Sequence, residues 1–390
     1  MKSAAIKKVL SLVIRLAVSA GLIGYVVHII PFQDVVPRVG QEPLRGSVVA
    51  ETPQALTVLV DGETQVVPID QVEKRPDKPL YDQGFLSIIK RMRLGAYLPT
   101  LLLVLAVILI DVVRWQVLLR VQGVELAYGP ALALTYGGIF CNSFMLGSTG
   151  GDVIKAVLVA RRTTRKARAV LTVFLDRVIG LVALIIVAGA VIPFEIDRVE
   201  VRRLAWGVYG FLAAFFGGCL VYFHPAFRAS RLFRWLMARL KLKVLHELDA
   251  AFYAYRGAPR AIGIAFGISF VAHMCGIFAI VGFGTALGIT GPSVAHYFVF
   301  FPIIAVISSI PISISGWGVG EAAFVALFGP VGVTPAAAVT LSILSRLSTL
   351  MMGLPGGLVF LLGIESLKVK ESEVADVERG EEGPDGPSAG

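Results

Sequence analysis

Charge is scarce in this sequence. Only 16% of its 390 residues are Asp, Glu, Lys or Arg, while 56% are hydrophobic. Soluble domains carry about a quarter charged residues, so a water-soluble enzyme or binding module is excluded for most of the chain. Cysteine is scarcer still. Cys141, Cys219 and Cys275 lie within apolar runs at spacings that match neither a zinc site nor a disulfide framework, and they are read as small packing residues. The five histidines are scattered, and His273, two residues from Cys275, has no acid nearby to complete a ligand set. No metal and no cofactor is expected, and a lone histidine in an apolar run reads as hydrogen-bonded packing. A nucleotide-binding motif, an acidic metal cluster and a nucleophile with a suitably spaced base are all missing, so no catalytic residue is assigned.

What the chain has instead is long apolar runs and a mean hydropathy of +0.78. A helix needs about 20 apolar residues to cross a bilayer, and such runs occur at 9–30, 94–119, 131–151, 169–192, 204–223, 261–287, 294–315 and 336–363. The formal net charge is +9, but the basic residues sit between the runs, where membrane orientation accounts for them and a nucleic-acid partner is not needed. Lys2, Lys7 and Lys8 precede an apolar stretch that Arg15 interrupts and that lacks an A-x-A cleavage site, so 1–30 is read as an uncleaved first span.

Segment 155–168 holds six basic residues and no acid, and 228–260 holds eight against Glu247 and Asp249. The positive-inside tendency puts both, with the two termini, on the cytoplasmic side of a bacterial inner membrane. The loop with Glu195, Asp197, Glu200, Arg198, Arg202 and Arg203 then lies outside, as does 31–93. A full crossing by 131–151 would export the six-charge segment after it. That run is dense in glycine and polar residues, so it is expected to enter the bilayer and turn back, which is tolerated only against protein or a wet cavity. The competing topology, eight plain crossings, leaves the basic loops outside. The favoured fold is an all-α polytopic membrane protein with about six full spans, two re-entrant helical hairpins in an inverted repeat and a small external β insertion.

Residues 46–72 carry Val48, Val49, Val58, Val60, Val66 and Val67 around an expected turn at Asp61-Gly62, a β pattern. It is either a spacer or a surface for envelope protein partners. The expected divisions are a first span (1–30), the external insertion (31–93), a first membrane unit (94–223, hairpin 131–151), a basic interfacial helix (224–260), a second unit (261–363, hairpin 294–320) and a disordered acidic tail (364–390).

A shift of 169 residues lays Gly147 on Gly316, Gly151 on Gly320, Asp152 on Glu321 and Arg177 on Arg346. The acid-to-arginine interval is 25 residues in both halves, and five of thirteen positions are identical between 169–181 and 338–350. With three crossings between the hairpins the halves are inverted, a plan that transporters use to hold anions near the midplane.

Two segments carry a family resemblance. One is Asn142-Ser143-Phe144-Met145-Leu146-Gly147-Ser148-Thr149-Gly150-Gly151-Asp152 followed by Leu175-Asp176-Arg177-Val178-Ile179-Gly180-Leu181; the other is Ser315-Gly316-Trp317-Gly318-Val319-Gly320-Glu321-Ala322-Ala323-Phe324. Together they resemble the flippase-like transmembrane domain of lysylphosphatidylglycerol synthases, over about 94–363. The resemblance implies handling of phospholipids or polyprenyl-phosphate lipids. Leu146 stands where relatives commonly have proline, and Gly320 where they often have arginine, which removes a cation from the second hairpin. The soluble aminoacyl-transferring domain of the full synthases is absent from this sequence, so lysyl transfer is not expected.

Arg177 and Arg346 lie within apolar runs, where a charge costs about 2.5–3.5 kcal/mol. Each either grips lipid phosphate or pairs structurally with Asp152, Asp176 or Glu321. Asp152 and Glu321 either cap the helices they begin or carry protons. Asn142, Ser143, Ser148, Thr149, Gly150, Gly151, Ser313, Ser315, Gly316 and Gly318 either meet headgroup oxygens or satisfy hairpin backbone, and Lys155 either meets phosphate at the cytoplasmic mouth or is a topological charge. Asp111 and Arg114, one turn apart, are read as an interfacial pair. The expected function is a flippase or transporter for a phosphate-bearing lipid; the alternatives are a membrane enzyme acting on lipid-linked phosphate or sugar, and an envelope-complex scaffold.

Overall fold

The computed structural model describes residues 24, 28, 31–73, 80–144, 150–231, 233–235, 243–310, 313 and 316–357. The expected first span apart from residues 24 and 28, the acidic tail, and Ser148, Thr149 and Ser315 lie outside these.

The valine-rich segment forms a four-stranded antiparallel meander, β1 (Asp34–Arg38), β2 (Gln41–Glu51), β3 (Ala55–Val60) and β4 (Glu63–Pro68). Alternation sorts its side chains: Val48, Val58 and Val67 are buried, whereas Val49 and Val66 face out. The β3–β4 turn falls at the expected Asp61-Gly62, both with positive φ (51° and 90°), the conformation of a two-residue hairpin loop. Asp34 ties the sheet to helix α1 (Phe85–Lys90). Its buried carboxylate accepts from Val48 N at 2.8 Å, Gly84 N at 2.7 Å and Ser87 Oγ at 2.9 Å. Helix α1 in turn packs on the last long helix of the membrane unit.

The remaining elements are helical, as backbone in hydrocarbon must be. They are α2 (Leu94–Val121), α3 (Tyr128–Phe144), α4 (Gly150–Ala160), α5 (Lys166–Val191), α6 (Val199–Phe223), α7 (Lys243–Ala254), α8 (Pro259–Ala286), α9 (Val294–Ser309), α10 (Val319–Phe328) and α11 (Pro335–Gly353). Among the described residues, five stretches are long and apolar enough to cross a membrane: Leu94–Val121, Lys166–Phe194, Val199–Phe223, Pro259–Ala286 and Pro335–Gly353. Helix α6 leaves Trp206 86% and Leu220 75% exposed, a surface that lipid, not water, would cover.

One succession of lengths occurs twice. Helices α2 to α5 have 28, 17, 11 and 26 residues, and α8 to α11 have 28, 16, 10 and 19. Helices α2 and α8 pack along each other, α3 leans on α11, and α9 leans on α5, so each broken pair rests on the last helix of the other succession. Pro259 and Pro335 begin α8 and α11, where a missing N–H costs nothing.

The loops gather at two ends. Past α2, Gln122 O accepts from Arg165 of the α4–α5 loop at 3.3 Å, and Gln122 Nε2 donates to Ala251 O of α7 at 2.8 Å. Gln116 donates to Leu126 O, just before α3, at 2.7 Å. The outer ends of α3 and α4 therefore both lie by the C-terminus of α2. At the opposite end Arg93 N donates to Ala286 O at 2.8 Å, and Gly291 sits so near Val331 that an added Cβ would be 2.6 Å from its carbonyl oxygen. The outer ends of α9 and α10 lie there.

Helices α3 and α4 touch backbone to backbone. A Cβ on Gly151 would stand 1.8 Å from Gly138 O, whereas one on Gly138 would meet its nearest atom at 3.4 Å. Gly151→Ala is expected to destabilise the protein by about 2–3 kcal/mol and Gly138→Ala by less than about 1, as read by thermal unfolding in detergent; equal effects would contradict this packing. With Cys141, Cys219 and Cys275 replaced, single cysteines placed in 161–165 and in 329–334 are expected to differ in whole cells, a membrane-impermeant maleimide labelling one of the two directly and the other only after permeabilisation. Labelling of both from one side would contradict the two-ended arrangement.

Candidate functional site

Each half holds its break with an acid and an arginine 25 residues apart. In the first, Asp152 in the opening turn of α4 forms an ion pair with Arg177 of α5. In the second, Glu321 in the opening turn of α10 pairs with Arg346 of α11 at 2.9 Å. Glu321 is 2% exposed, and a charge so placed needs near-complete hydrogen bonding. Its other bonds come from Gly318 N at 2.6 Å, which caps the helix, and from Ser342 Oγ at 3.1 Å. Capping and ion pairing therefore coexist in this one acid.

The glycines of the second break make room for the arginine. Gly316 and Gly318 have φ of 73° and 81°, favourable only without a side chain. Arg346 Nη2 donates to Gly316 O at 2.8 Å, and its guanidinium lies 5.2 Å from the centre of the Trp317 ring. A Cβ at Gly320 would be 2.1 Å from Arg346 Nη2. Arg346 thus fills the volume that a side chain at position 320 would claim. Ser313, in the same break, is fully buried, and its hydroxyl has no hydrogen-bond partner among the described residues.

The first half adds a second, deeper layer. Asp176, beside Arg177 in sequence, turns inward and accepts from Arg114 Nε at 2.7 Å, with Lys155 Nζ at 4.0 Å. Arg114 also approaches Asp111 at 3.0 Å and Ser269 Oγ of α8 at 3.3 Å. Lys155 lies 3.8 Å over the Trp115 ring, whose Nε1 donates to Thr172 Oγ1 at 3.1 Å. Asn142 Oδ1 accepts from Gly151 N at 2.7 Å, closing α3 on α4 next to Gly150. Ser143 belongs to the last turn of α3.

Asp111 and Arg114 pair as expected, and Arg114, 5% exposed, also joins α2 to α5 and α8. The signal for this is an arginine inside the apolar run 94–119. A partner one turn away explains it locally and hides the long-range bond to Asp176.

Between the successions lies a cavity of about 470 Å³, within the size range of small-ligand sites. Its wall is largely apolar (Val104, Ile108, Ile139, Ile280, Phe283, Phe301), with Asp111, Asn142, Trp317, Ser345, Arg346 and Thr349 as polar or aromatic points. Of the residues singled out in the sequence, Asp111, Asn142 and Arg346 line it; Asp152, Lys155, Asp176, Arg177 and Glu321 are not among the residues that line it. An apolar chamber with one guanidinium suits an amphiphile whose polar end is anionic.

Comparison with known proteins agrees with this picture at the level of family. No curated protein and no solved structure matches the chain. The family described as lysylphosphatidylglycerol synthase TM region matches residues 83–357, which include every helix from α1 to α11 and leave out the sheet. This membrane protein therefore belongs to the lysylphosphatidylglycerol synthase transmembrane-region family, and its function is a membrane lipid-related one.

Proposed function

We propose that the chain binds the phosphate of a membrane lipid, a phospholipid or a polyprenyl phosphate, and carries it between leaflets by alternating access without chemical change. The observation that carries this reading is the apolar cavity at the seam of the two halves with Arg346 in its wall. The helix pairs α3–α4 and α9–α10 act as re-entrant hairpins from opposite faces, consistent with their outer ends lying at opposite ends of the bundle. The matching lengths and the crossed packing of α3 on α11 and α9 on α5 support an inverted repeat. A rocking motion of one half against the other then exposes one seam at a time.

Arg346 offers a planar fork that can take two phosphate oxygens at once. In the structure it is held by Glu321 and Gly316 O, so substrate must compete with the acid. Phosphate displaces the acid from the guanidinium while one seam is open, and return of Glu321 to Arg346 restores the ion pair and expels the lipid when the other seam opens. Asp152 and Arg177 serve as the corresponding latch at the opposite face. The driving force is an ion gradient or the lipid gradient itself.

The test is leaflet exchange in proteoliposomes, with a fluorescent phospholipid and a polyprenyl phosphate as probes. Arg346→Ala is expected to slow exchange at least tenfold, since a charge-assisted hydrogen bond contributes about 1.5–3 kcal/mol. Exchange by Arg346→Ala and Arg177→Ala at the wild-type rate for both probes would overturn the proposal.

A further inference from the structure

We propose that the headgroup taken into this cavity is zwitterionic, a phosphate joined to an ammonium group, and not purely anionic. This rests on the phosphate-lipid reading above and narrows it. Among the described residues lining the cavity the charged ones are Arg346 and Asp111, one of each sign, on opposing helices α11 and α2. A site for phosphate alone has no use for a carboxylate in its wall, because a like charge there disfavours the ligand.

Asp111 is placed to meet a cation. Its side chain is 32% exposed, and its neighbour Arg114, 6% exposed, makes its shorter bond to Asp176, at 2.7 Å against 3.0 Å to Asp111. Arg114 thus serves two carboxylates, of which Asp176 also has Lys155 at 4.0 Å, and the one facing the cavity is the more exposed. At the other side Arg346 is already balanced by Glu321 at 2.9 Å. The charges at the chamber's border therefore balance, Asp111 and Asp176 against Arg114 and Lys155, and Glu321 against Arg346. A ligand of net charge zero preserves that balance in a low-dielectric site, whereas an anion adds an uncompensated charge, which is costly there. The volume of about 470 Å³ is enough for a headgroup and the first part of its acyl chains against Val104, Ile280 and Phe283.

Trp317 lies in the cavity wall and reports its occupation. The full chain in detergent micelles is titrated with dihexanoyl phosphatidylethanolamine, dihexanoyl phosphatidylcholine and dihexanoyl phosphatidylglycerol while tryptophan emission is read. Trp317→Phe serves to assign the signal, and glycerophosphoethanolamine serves as the chain-free headgroup. Expected are at least tenfold tighter binding of both zwitterions than of phosphatidylglycerol, weaker binding of the chain-free compound, and collapse of the zwitterion preference to near unity in Asp111→Asn with recovery in Asp111→Glu. Equal or tighter binding of phosphatidylglycerol to the wild type, with the dependence on Arg346 retained, would overturn the headgroup assignment alone. Equal weakening of every probe in Asp111→Asn, unrescued by Asp111→Glu, would do the same by making Asp111 merely structural. Binding of no probe, or binding indifferent to Arg346→Ala, would overturn the phosphate-lipid reading as well.

Discussion

An arginine in hydrocarbon cannot stand alone, and in this chain two of them, Arg177 and Arg346, fasten a broken helix pair to the long helix behind it through Asp152 and Glu321. The cost of an unpaired buried charge, several kcal/mol even after relaxation, makes each ion pair a strong constraint on where its two short helices can sit. The glycines follow from that constraint. Gly320 has no side chain where Arg346 must pass, and Gly151 lets α4 lie on the backbone of α3 so that Asp152 reaches α5. The cavity follows in turn, since holding both breaks away from the α2–α8 axis leaves a chamber between them.

The two pairs are alike in spacing and different in setting. Asp152 and Arg177 are each about a third exposed, while Glu321 is almost wholly enclosed and caps its own helix. Behind the first pair stands a further network, Arg114 with Asp176, Asp111 and Ser269, that ties α2, α5 and α8 together. The half with the looser latch thus has the more heavily braced interior. Outside the membrane unit the sheet is held by a buried carboxylate of its own, Asp34, whose bonds to Gly84 and Ser87 connect it to the chain that leads into α2.

Much of this is legible in the sequence because local chemistry dictates it. The apolar runs set α2, α5, α6 and α8 within about five residues, whereas α11 ends at Gly353 inside the run 336–363, and Asp61-Gly62 marks its turn because few other pairs tolerate positive φ at both positions. The 25-residue interval is legible because a charge among apolar neighbours is conspicuous, and its repetition more so. Arg114 is visible but invites an incomplete reading, since Asp111 at one-turn spacing offers a sufficient local partner and hides Asp176 and Ser269. The cavity is not legible, because its wall is drawn from α2, α3, α8, α9 and α11 and from Trp317, residues that only the tertiary packing brings together. The filling of the Gly320 position by Arg346 is equally invisible, being a matter of space and not of spacing.

The most direct test of the central claim is a double-mutant cycle on the pair that borders the cavity. Thermal unfolding would be measured for the wild type, Glu321→Gln, Arg346→Gln and the double variant. If the ion pair holds the second break, each single change leaves a buried charge unpaired, and the double change costs less than the two added together by about 1–3 kcal/mol. Strict additivity, within about 0.5 kcal/mol, would show that the two residues act independently and would contradict the account.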